Sequence, residues 1–171
     1  ESWLSQPHYY SSNSDIEGVI VNIFNTLVER NNTYKDARQE GKSEPSFQQI
    51  RVVVNSLTSL QERLSEDAGE KLNALLEKGD AKYGVNFIIA ESANNLAAVS
   101  FENWFKKNVS LTEGIWVGNG ISEQYHFRLS KMTNDLYEDI GEEFGYVIKK
   151  SKPTLIKLLS SATEDQGGYY G

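Results

Sequence analysis

The triplet Gly41-Lys42-Ser43 has the last three letters of a phosphate-binding loop, the element that holds the phosphates of a bound nucleotide. The full motif, Gly-x-x-x-x-Gly-Lys-Ser/Thr, needs a further glycine where this chain has Asp36. An acidic side chain there repels a polyphosphate. The triplet also closes a predicted helix, whereas a working loop opens one and directs the helix dipole at the anion. We therefore interpret the triplet as a helix stop followed by a polar loop.

Metal chemistry is not indicated by the other reactive residue types. The chain has no cysteine, which excludes disulfides and thiolate sites, and His8 and His126 lie far apart without metal-like neighbours. One acidic cluster has helical spacing but no shaped loop, so we interpret it as a solvated face and predict no metal site. Its members are Asp135, Glu138, Asp139, Glu142 and Glu143.

Glu91 follows a predicted buried strand, at the position where open α/β sheets place their ligands. It is the one carboxylate that we single out for a catalytic role, although a structural role is favoured.

Phe101, Trp104 and Phe105 crowd one side of a predicted helix. They form either core or, if part of the group is exposed, a docking surface for an apolar helix; core is favoured.

Composition describes an ordinary globular protein. The 171 residues are the usual size of a single domain, and we predict one domain over residues 1–171. A net charge of -7 has the wrong sign for displacing counterions from a phosphate backbone, so no nucleic-acid partner is predicted. No window has the length of apolar sequence that a bilayer span requires. We expect a chain without direct membrane contact, in a cytosolic setting.

Periodicity predicts alternating helices and strands. A capping box over residues 14–17, with Ser14 as the N-cap and Glu17 reaching back, begins a long helix that Gly41 and Pro45 end. β-Branched runs at 50–57 and 85–90 predict strands covered on both faces, and a short strand is predicted at 115–117 before a Gly118–Gly120 turn. Helices are predicted at 65–80, 95–108, 122–128 and 131–139, a hairpin around Lys150–Pro153, and a frayed tail at 160–171.

This order of elements indicates βαβ crossovers, and therefore an α/β fold with a mostly parallel sheet and helices on both faces.

Read in order, several segments resemble the second part of a motor domain of the FtsK/SpoIIIE family. The segments are "SQPHYYSSNSD", "NTLVERNNTYKDARQEG" with its Glu29-Arg30 pair, "IRVVVNSLTSL", "KYGVNFIIAES" and "GEEFGYVIKKSKPTLIKLL". The resemblance covers nearly the whole chain, and each motif alone is weak. It implies a RecA-like, P-loop NTPase-like fold with a C-terminal hairpin, in which the phosphate-loop segment is missing.

The departures from the family pattern concern the catalytic positions. Asn55 and Ser56 stand where active members carry the Asp-Glu of the Walker B motif, and Glu91 and Ser92 stand where active translocases carry Thr-Gln at a sensor-like position. An asparagine lacks the negative charge that holds Mg²⁺, and a serine cannot act as the carboxylate base. We therefore predict no catalytic residue and no cofactor in residues 1–171, and expect ATP and Mg²⁺ only in a longer parent protein.

The degenerate pattern is most similar to the last ATPase-like domain of the coupling protein of type VII secretion systems in Gram-positive bacteria. That resemblance implies a membrane-anchored parent with tandem motor domains on the cytoplasmic side, assembling towards a hexamer. The implied partners are small helical secreted proteins and neighbouring ATPase domains or subunits. The predicted function is recognition and regulation in the secretion motor.

Two alternatives stay open. One is an active ATPase whose phosphate loop lies outside this fragment or comes from a neighbour. The other is a free-standing acidic α/β adaptor with no link to secretion.

Overall fold

A computed structural model describes residues 8–79 and 81–159. The chain divides into two compact units, the first ending at Val109 and the second beginning at Ser110. We describe each unit by itself, and the prediction of one domain over residues 1–171 stays a prediction. The tail predicted at 160–171 lies outside the described residues.

The first unit contains five helices and a parallel pair of strands among its described residues. In chain order they are α1 (Asn13–Gln39), β1 (Ile50–Asn55), α2 (Leu57–Arg63), α3 (Glu66–Lys78), a 3₁₀ turn (Ala81–Tyr83), β2 (Val85–Ala90), α4 (Ala93–Val99) and α5 (Asn103–Asn108). β1 and β2 pair in parallel, with Ile50 opposite Val85 and Asn55 opposite Ala90. Both strands therefore start at one end of the sheet, the amino end, and finish at the other, the carboxyl end.

The start of α1 differs from the predicted capping box. Ser12, rather than Ser14, is the N-cap, and its hydroxyl accepts a hydrogen bond from the Asp15 amide at 3.3 Å. Glu17 does not reach back; its Oε1 accepts from the Ser65 amide at 2.7 Å, at the start of α3. The Glu17 carboxylate binds the start of α3 instead of the start of α1, because α3 begins beside α1. Local sequence does not show that the two helix ends are close.

The end of α1 explains the Gly-Lys-Ser triplet. The Lys42 amide donates to the Ala37 carbonyl at 2.9 Å and the Gly41 amide to the Arg38 carbonyl at 3.3 Å, the two bonds of a Schellman motif. Gly41 has φ 66°, the left-handed conformation that this motif requires. The triplet is a helix stop, as the sequence predicted.

The core of the first unit lies between the helices and one face of the sheet. α1 packs against α3, and α3 packs against α5. The opposite face is open: Val53 is 69% exposed and its partner Ile88 is 57% exposed. The prediction that both strands are covered on both faces is therefore wrong for the described residues. The buried apolar residues of this unit include Ile20, Ile23, Leu27, Val54, Leu57, Leu72, Leu75, Leu76 and Val85.

One helix and one strand predicted in the first unit need correction. The helix predicted over 95–108 is split into α4 and α5, because the chain turns between Ser100 and Glu102. The predicted first strand ends at Asn55 instead of Leu57, since Ser56 takes a left-handed conformation and α2 begins directly after it. The strand Val85–Ala90 and the stop at Gly79 agree with the prediction.

The second unit is built on an antiparallel sheet of β3 (Gly114–Val117), β4 (Phe144–Lys149) and β5 (Lys152–Lys157). Tyr146 and Ile148 of β4 are buried in its core with Ile121 and Leu136. The short strand predicted at 115–117 thus exists, but it pairs antiparallel with β4 and does not extend the parallel sheet. Residues 122–128 contain no helix, and the helix predicted at 131–139 is reduced to a 3₁₀ turn, Asn134–Tyr137.

The described residues therefore form a mixed α/β fold with two small sheets. Within that part of the chain, no helix combines the length and the apolar character needed to cross a membrane.

Candidate functional site

The carboxyl end of the parallel sheet brings together the four residues that the sequence placed at degenerate motor positions. Asn55 and Ser56 leave β1 beside the point where Glu91 and Ser92 leave β2. The Ser56 amide donates to the Ala90 carbonyl at 2.8 Å, which continues the strand pairing past the end of β1. Open α/β sheets bind their ligands at this end of the strands.

The Glu91 carboxylate is the centre of a hydrogen-bond cluster. Its Oε2 accepts from the amide of Thr58 at 3.0 Å and from the Thr58 hydroxyl at 2.9 Å. Its Oε1 accepts from the amide of Ser92 at 2.8 Å and from the side-chain amide of Asn95 at 3.2 Å. Glu91 therefore ties the end of β2 to the first turns of both α2 and α4.

These contacts set the charge state of Glu91. Partial burial raises the pKa of its carboxyl, but the amides of Thr58 and Ser92, the Thr58 hydroxyl and the Asn95 side chain outweigh burial, so the net pKa is lowered. A general base needs a pKa near the working pH and an oxygen facing its substrate. Glu91 has a lowered pKa and each of its oxygens already accepts two hydrogen bonds, so it is built as a structural anion.

The two serines at this end differ in conformation. Ser92 has extended backbone and its hydroxyl caps α4 by accepting from the Asn95 amide at 3.2 Å. Ser56 has φ 60° and ψ 86°, makes no capping bond from its side chain, and its hydroxyl lies 2.9 Å from that of Ser59. Among the described residues, no hydrogen bond joins either hydroxyl to a base that would activate it as a nucleophile.

The residues present do not fit a magnesium-nucleotide centre. Asn55 and Ser56 supply no charge, and the one carboxylate between the strands is already fully hydrogen-bonded. The described residues contain no group of three or more histidine, aspartate or glutamate side chains arranged to hold a metal ion. Mg²⁺ binding needs carboxylate oxygens that are free to coordinate it.

The aromatic trio of the sequence prediction is divided. Trp104 and Phe105 are 5% and 6% exposed, with their rings in edge-to-face contact, whereas Phe101 is 76% exposed. The indole N–H of Trp104 donates to Glu102 at 2.5 Å. Trp104 and Phe105 are therefore core, and the three side chains do not form one docking face, because the break between α4 and α5 directs Phe101 outward.

The lysine of the phosphate-loop triplet is engaged locally. Lys42 forms an ion pair with Glu40 at 2.6 Å, beside a cavity of about 420 Å³ that Tyr34 and Glu44 also line. The Tyr34 hydroxyl donates to Glu44 at 2.5 Å, and this hydrogen bond raises the pKa of Tyr34. Lys42 is therefore paired with an acidic neighbour on its own loop, beside a cavity that Arg38 and Gly41 also line.

The acidic cluster of the second unit is partly structural. Asp139 accepts from the side chain of Asn119 at 2.7 Å and from the Gly141 amide at 2.9 Å; the Gly141 bond and then the Asn119 bond lower its pKa. Glu143 pairs with Lys157 at 3.3 Å. His126 is buried against Tyr125, with ring centroids 4.6 Å apart, and His8 is exposed.

A second site, which sequence reasoning missed, lies beside the amino end of the sheet. It is a groove of about 780 Å³ between α1, the end of α3, the 3₁₀ turn and the end of α5. Phe24, Leu27 and Val28 line it from α1. Its other lining residues include three lysines, for which we call it the basic groove, and one glutamate: Lys78, Lys82, Lys107 and Glu77. Its residues come from four separate segments, so no local motif could have identified it.

Comparison with known proteins identifies the fold. No protein-family model and no curated protein matches the sequence. A solved structure of the cytoplasmic domain of EssC matches with a TM-score of 0.70 and 19% identity, over 92% of this chain and 30% of that chain. A structure of EssC (ATPases 2 and 3) from Geobacillus thermodenitrificans matches with a TM-score of 0.65 and 19% identity, over 92% of this chain and 28% of that one.

These likenesses confirm, at the level of the fold, the resemblance that the sequence predicted. The chain folds like a segment of the EssC ATPase region and spans less than a third of the length of either solved chain.

Proposed function

We propose that this chain is a non-catalytic, FtsK-like interaction and regulatory domain of a type VII secretion motor. In this proposal it works on the cytoplasmic side of the membrane, in a membrane-anchored parent protein. Its partners are small helical secreted proteins and neighbouring ATPase domains or subunits, in an assembly that tends towards a hexamer. The fold likeness to the EssC ATPase region supports the setting.

The observation that carries the proposal is the chemistry of the carboxyl end. Asn55 and Ser56 replace the groups that would hold Mg²⁺ and polarise water, and Glu91 uses both oxygens to join β2 to α2 and α4. The positions of a motor site are thus occupied by a structural joint. A domain that keeps the motor fold without its catalytic groups can still bind partners, because binding depends on its surface.

The test is to measure ATP hydrolysis and cargo binding with the natural protein that contains this chain. We expect small helical secreted proteins to be retained by it in a pull-down. We also expect any magnesium-dependent hydrolysis to be unchanged by Asn55→Ala, which removes an exposed side chain and leaves the Glu91 cluster intact. Hydrolysis that is abolished by Asn55→Ala in a folded variant, or failure to retain any secreted protein, would contradict the proposal.

One observation favours a second candidate, an active ATPase completed by polypeptide outside residues 1–171. Parallel sheets are normally covered on both faces, and a two-stranded sheet is seldom stable alone. Here Val53 and Ile88 expose the outer face of just such a pair. A phosphate-loop segment that paired with an edge of β1 or β2 and covered this face would complete a RecA-like sheet.

This second candidate requires an intact phosphate-loop motif, Gly-x-x-x-x-Gly-Lys-Ser/Thr, in polypeptide outside residues 1–171. Hydrolysis that depends on its lysine and on Asn55 would favour the active enzyme over the interaction domain.

A further inference from the structure

Asn119 and Gly120 form the single Asn-Gly pair of the chain, in the turn that follows β3. Asparagine is a thermolabile residue type, because its side-chain Cγ can be attacked by the backbone nitrogen of the next residue. Glycine hinders this attack least, since it has no Cβ. The pair is therefore the place in the sequence where such an intramolecular reaction meets the least steric resistance.

The backbone at Gly120 leaves the attack open. Gly120 has φ +82°, and nothing lies within 4 Å of the position of an added Cβ. Its amide donates no hydrogen bond to any residue that the structure describes. Asn55, which is also exposed and precedes a small residue, differs in this respect, because the Ser56 amide donates to the Ala90 carbonyl at 2.8 Å. The attacking nitrogen is thus engaged after Asn55 and available after Asn119.

The side chain of Asn119 is held by a second loop. Its Nδ2 donates to the Asp139 carboxylate at 2.7 Å, and its Oδ1 accepts from the Ile140 amide at 2.9 Å. The same Asp139 oxygen accepts from the Gly141 amide at 2.9 Å. We call these three hydrogen bonds the Asn119 clamp. A side chain held at both polar atoms does not rotate freely, and rotation is needed to bring Cγ into attack geometry on the next nitrogen.

The clamp is strong when it is closed, yet it is exposed to water. The bonds from the Gly141 amide and then from Asn119 lower the pKa of the Asp139 carboxyl, which is therefore an anion at neutral pH. Hydrogen bonds to a charged acceptor are stronger than those to a neutral one. Asn119 and Asp139 both lie at exposed positions, where local opening is frequent. The clamp therefore controls how often the Asn119 side chain is released.

The clamp also joins two elements of the core of the second unit. Trp116 and Ile140 both pack against the buried cluster that contains Tyr146 and Ile148. The Trp116 indole N–H donates to the Asn119 carbonyl at 2.9 Å, and the Ile140 amide donates to its side chain. A chemical change at Asn119 therefore affects how both residues are held over the core.

We propose that Asn119 is a self-modification site whose reaction the clamp controls. When the clamp opens, the Gly120 nitrogen attacks Asn119 Cγ, and the new C–N bond closes a succinimide ring. The side-chain nitrogen leaves as ammonia, which carries away the proton of the Gly120 amide. Water then adds to one of the two ring carbonyls and opens the ring, which gives aspartate or isoaspartate. Water is the only other reactant.

The product does not restore the clamp. An aspartate at position 119 has no N–H to donate to Asp139, and its carboxylate repels that of Asp139 where the hydrogen bond was. Isoaspartate also adds a methylene to the backbone, which displaces the carbonyl that Trp116 contacts. The reaction is therefore a one-way loosening of this turn. It goes beyond the proposed function and does not depend on it.

The first test follows deamidation by peptide mapping with mass spectrometry while the folded protein is incubated at neutral pH. Asp139→Ala removes the acceptor of the Asn119 side chain, and we expect deamidation at Asn119 to become about fivefold faster. Glu142→Ala removes an exposed carboxylate of the same acidic cluster outside the clamp, and the rate should change by less than about twofold. Equal rates in the two variants would overturn the role of the clamp.

An internal reference in the same samples guards against general unfolding. Deamidation at Asn55 should keep its wild-type rate in Asp139→Ala, because the Ser56 amide stays paired with Ala90 in the first unit. Acceleration at both asparagines would contradict a clamp that acts on Asn119 alone.

Unfolding the chain provides a second comparison. In urea the clamp is absent from every variant, so wild type and Asp139→Ala should deamidate at Asn119 at one common rate, which exceeds that of the folded wild type. A folded wild type that reacts as fast as the unfolded chain would show that the clamp does not protect Asn119.

The consequence of the reaction is tested with a variant that reproduces one product. In Asn119→Asp, hydrogen exchange at the Ile140 and Gly141 amides should be at least about fivefold faster than in wild type. Asn134→Asp adds the same charge at an exposed position of the same acidic segment, and it should leave the exchange rates within about twofold. Wild-type exchange in Asn119→Asp would contradict the loosening of the turn.

Discussion

The two ends of the parallel sheet differ in what their polar groups contact. At the carboxyl end, Glu91 accepts four hydrogen bonds from its own chain. At the amino end, about 20 Å away along the six residues of β2, Lys78, Lys82, Lys107 and Glu77 line the basic groove. Polar groups that satisfy one another stabilise a fold. The carboxyl end of the sheet is therefore a structural joint, whereas the amino end borders an open groove.

The largest effect is expected at Gly84, which leads into β2 at the amino end. Gly84 has φ +68°, and an added Cβ would lie 2.9 Å from the Gln48 carbonyl oxygen and 3.0 Å from Arg30 Nη1. Gly84→Ala should lower the free energy of unfolding by about 2 to 4 kcal/mol, since left-handed strain and overpacking add. Gly41→Ala is the control, because Gly41 has φ +66° with nothing within 4 Å. Urea titration measures the free energy of unfolding of both variants, and Gly41→Ala should lower it by about 1 to 2 kcal/mol. Equal losses in the two variants would contradict close packing at the amino end.

The next effect concerns the carboxyl end. Glu91→Ala leaves the amides of Thr58 and Ser92 without their acceptor, and we expect a loss of about 1 to 3 kcal/mol in the free energy of unfolding. Glu62→Ala, at an exposed position of α2, should change it by less than about 0.5 kcal/mol. A Glu91 variant as stable as the Glu62 variant would show that the cluster does not hold the strand ends together.

The pH dependence of the Glu91 effect has a defined sign. The pKa of Glu91 in the folded protein lies below its ordinary value of 4.5. The stabilisation from its carboxylate is therefore fully present above that value and is lost as the pH falls through the lower, folded-state pKa. The difference in unfolding free energy between wild type and Glu91→Ala should be constant at neutral pH and shrink only in acid. A difference that grows on acidification would contradict the assignment of Glu91 as a structural anion.

The smallest effects distinguish the two serines at the carboxyl end. Ser92→Ala removes the N-cap of α4 and should cost about 1 kcal/mol. Ser56→Gly should raise stability by about 0.5 kcal/mol, because glycine relieves the left-handed strain at φ 60° but loses more entropy on folding. Thermal unfolding of both variants checks the pair. Destabilisation of equal size in the two would mean that Ser56 contributes a contact that outweighs its strain.

Features that depend on neighbours in the sequence were predicted well. The span of α3 with its stop at Gly79, the strand Val85–Ala90, and the role of Gly41 all follow from apolar periodicity or from one residue's conformational preference. The sequence also shows directly that Asn55 and Ser56 carry no charge.

Features that depend on distant contacts were not predictable. β3 has only four residues, and its sequence does not encode whether it pairs with β2 or with β4. Glu91 accepts hydrogen bonds from Thr58, which lies 33 residues earlier in the chain. Glu17, which was predicted to cap α1, accepts instead from Ser65, which lies 48 residues later. A register or a hydrogen bond across such separations is set by tertiary packing, which local pattern does not report.

The structural role of the carboxyl end is tested most directly by magnesium-dependent ATP hydrolysis in the natural protein that contains this chain. The account predicts the same rate for the wild type and for Asn55→Ala, whose exposed side chain lies outside the Glu91 cluster. A rate that is abolished by Asn55→Ala in a folded variant would contradict it.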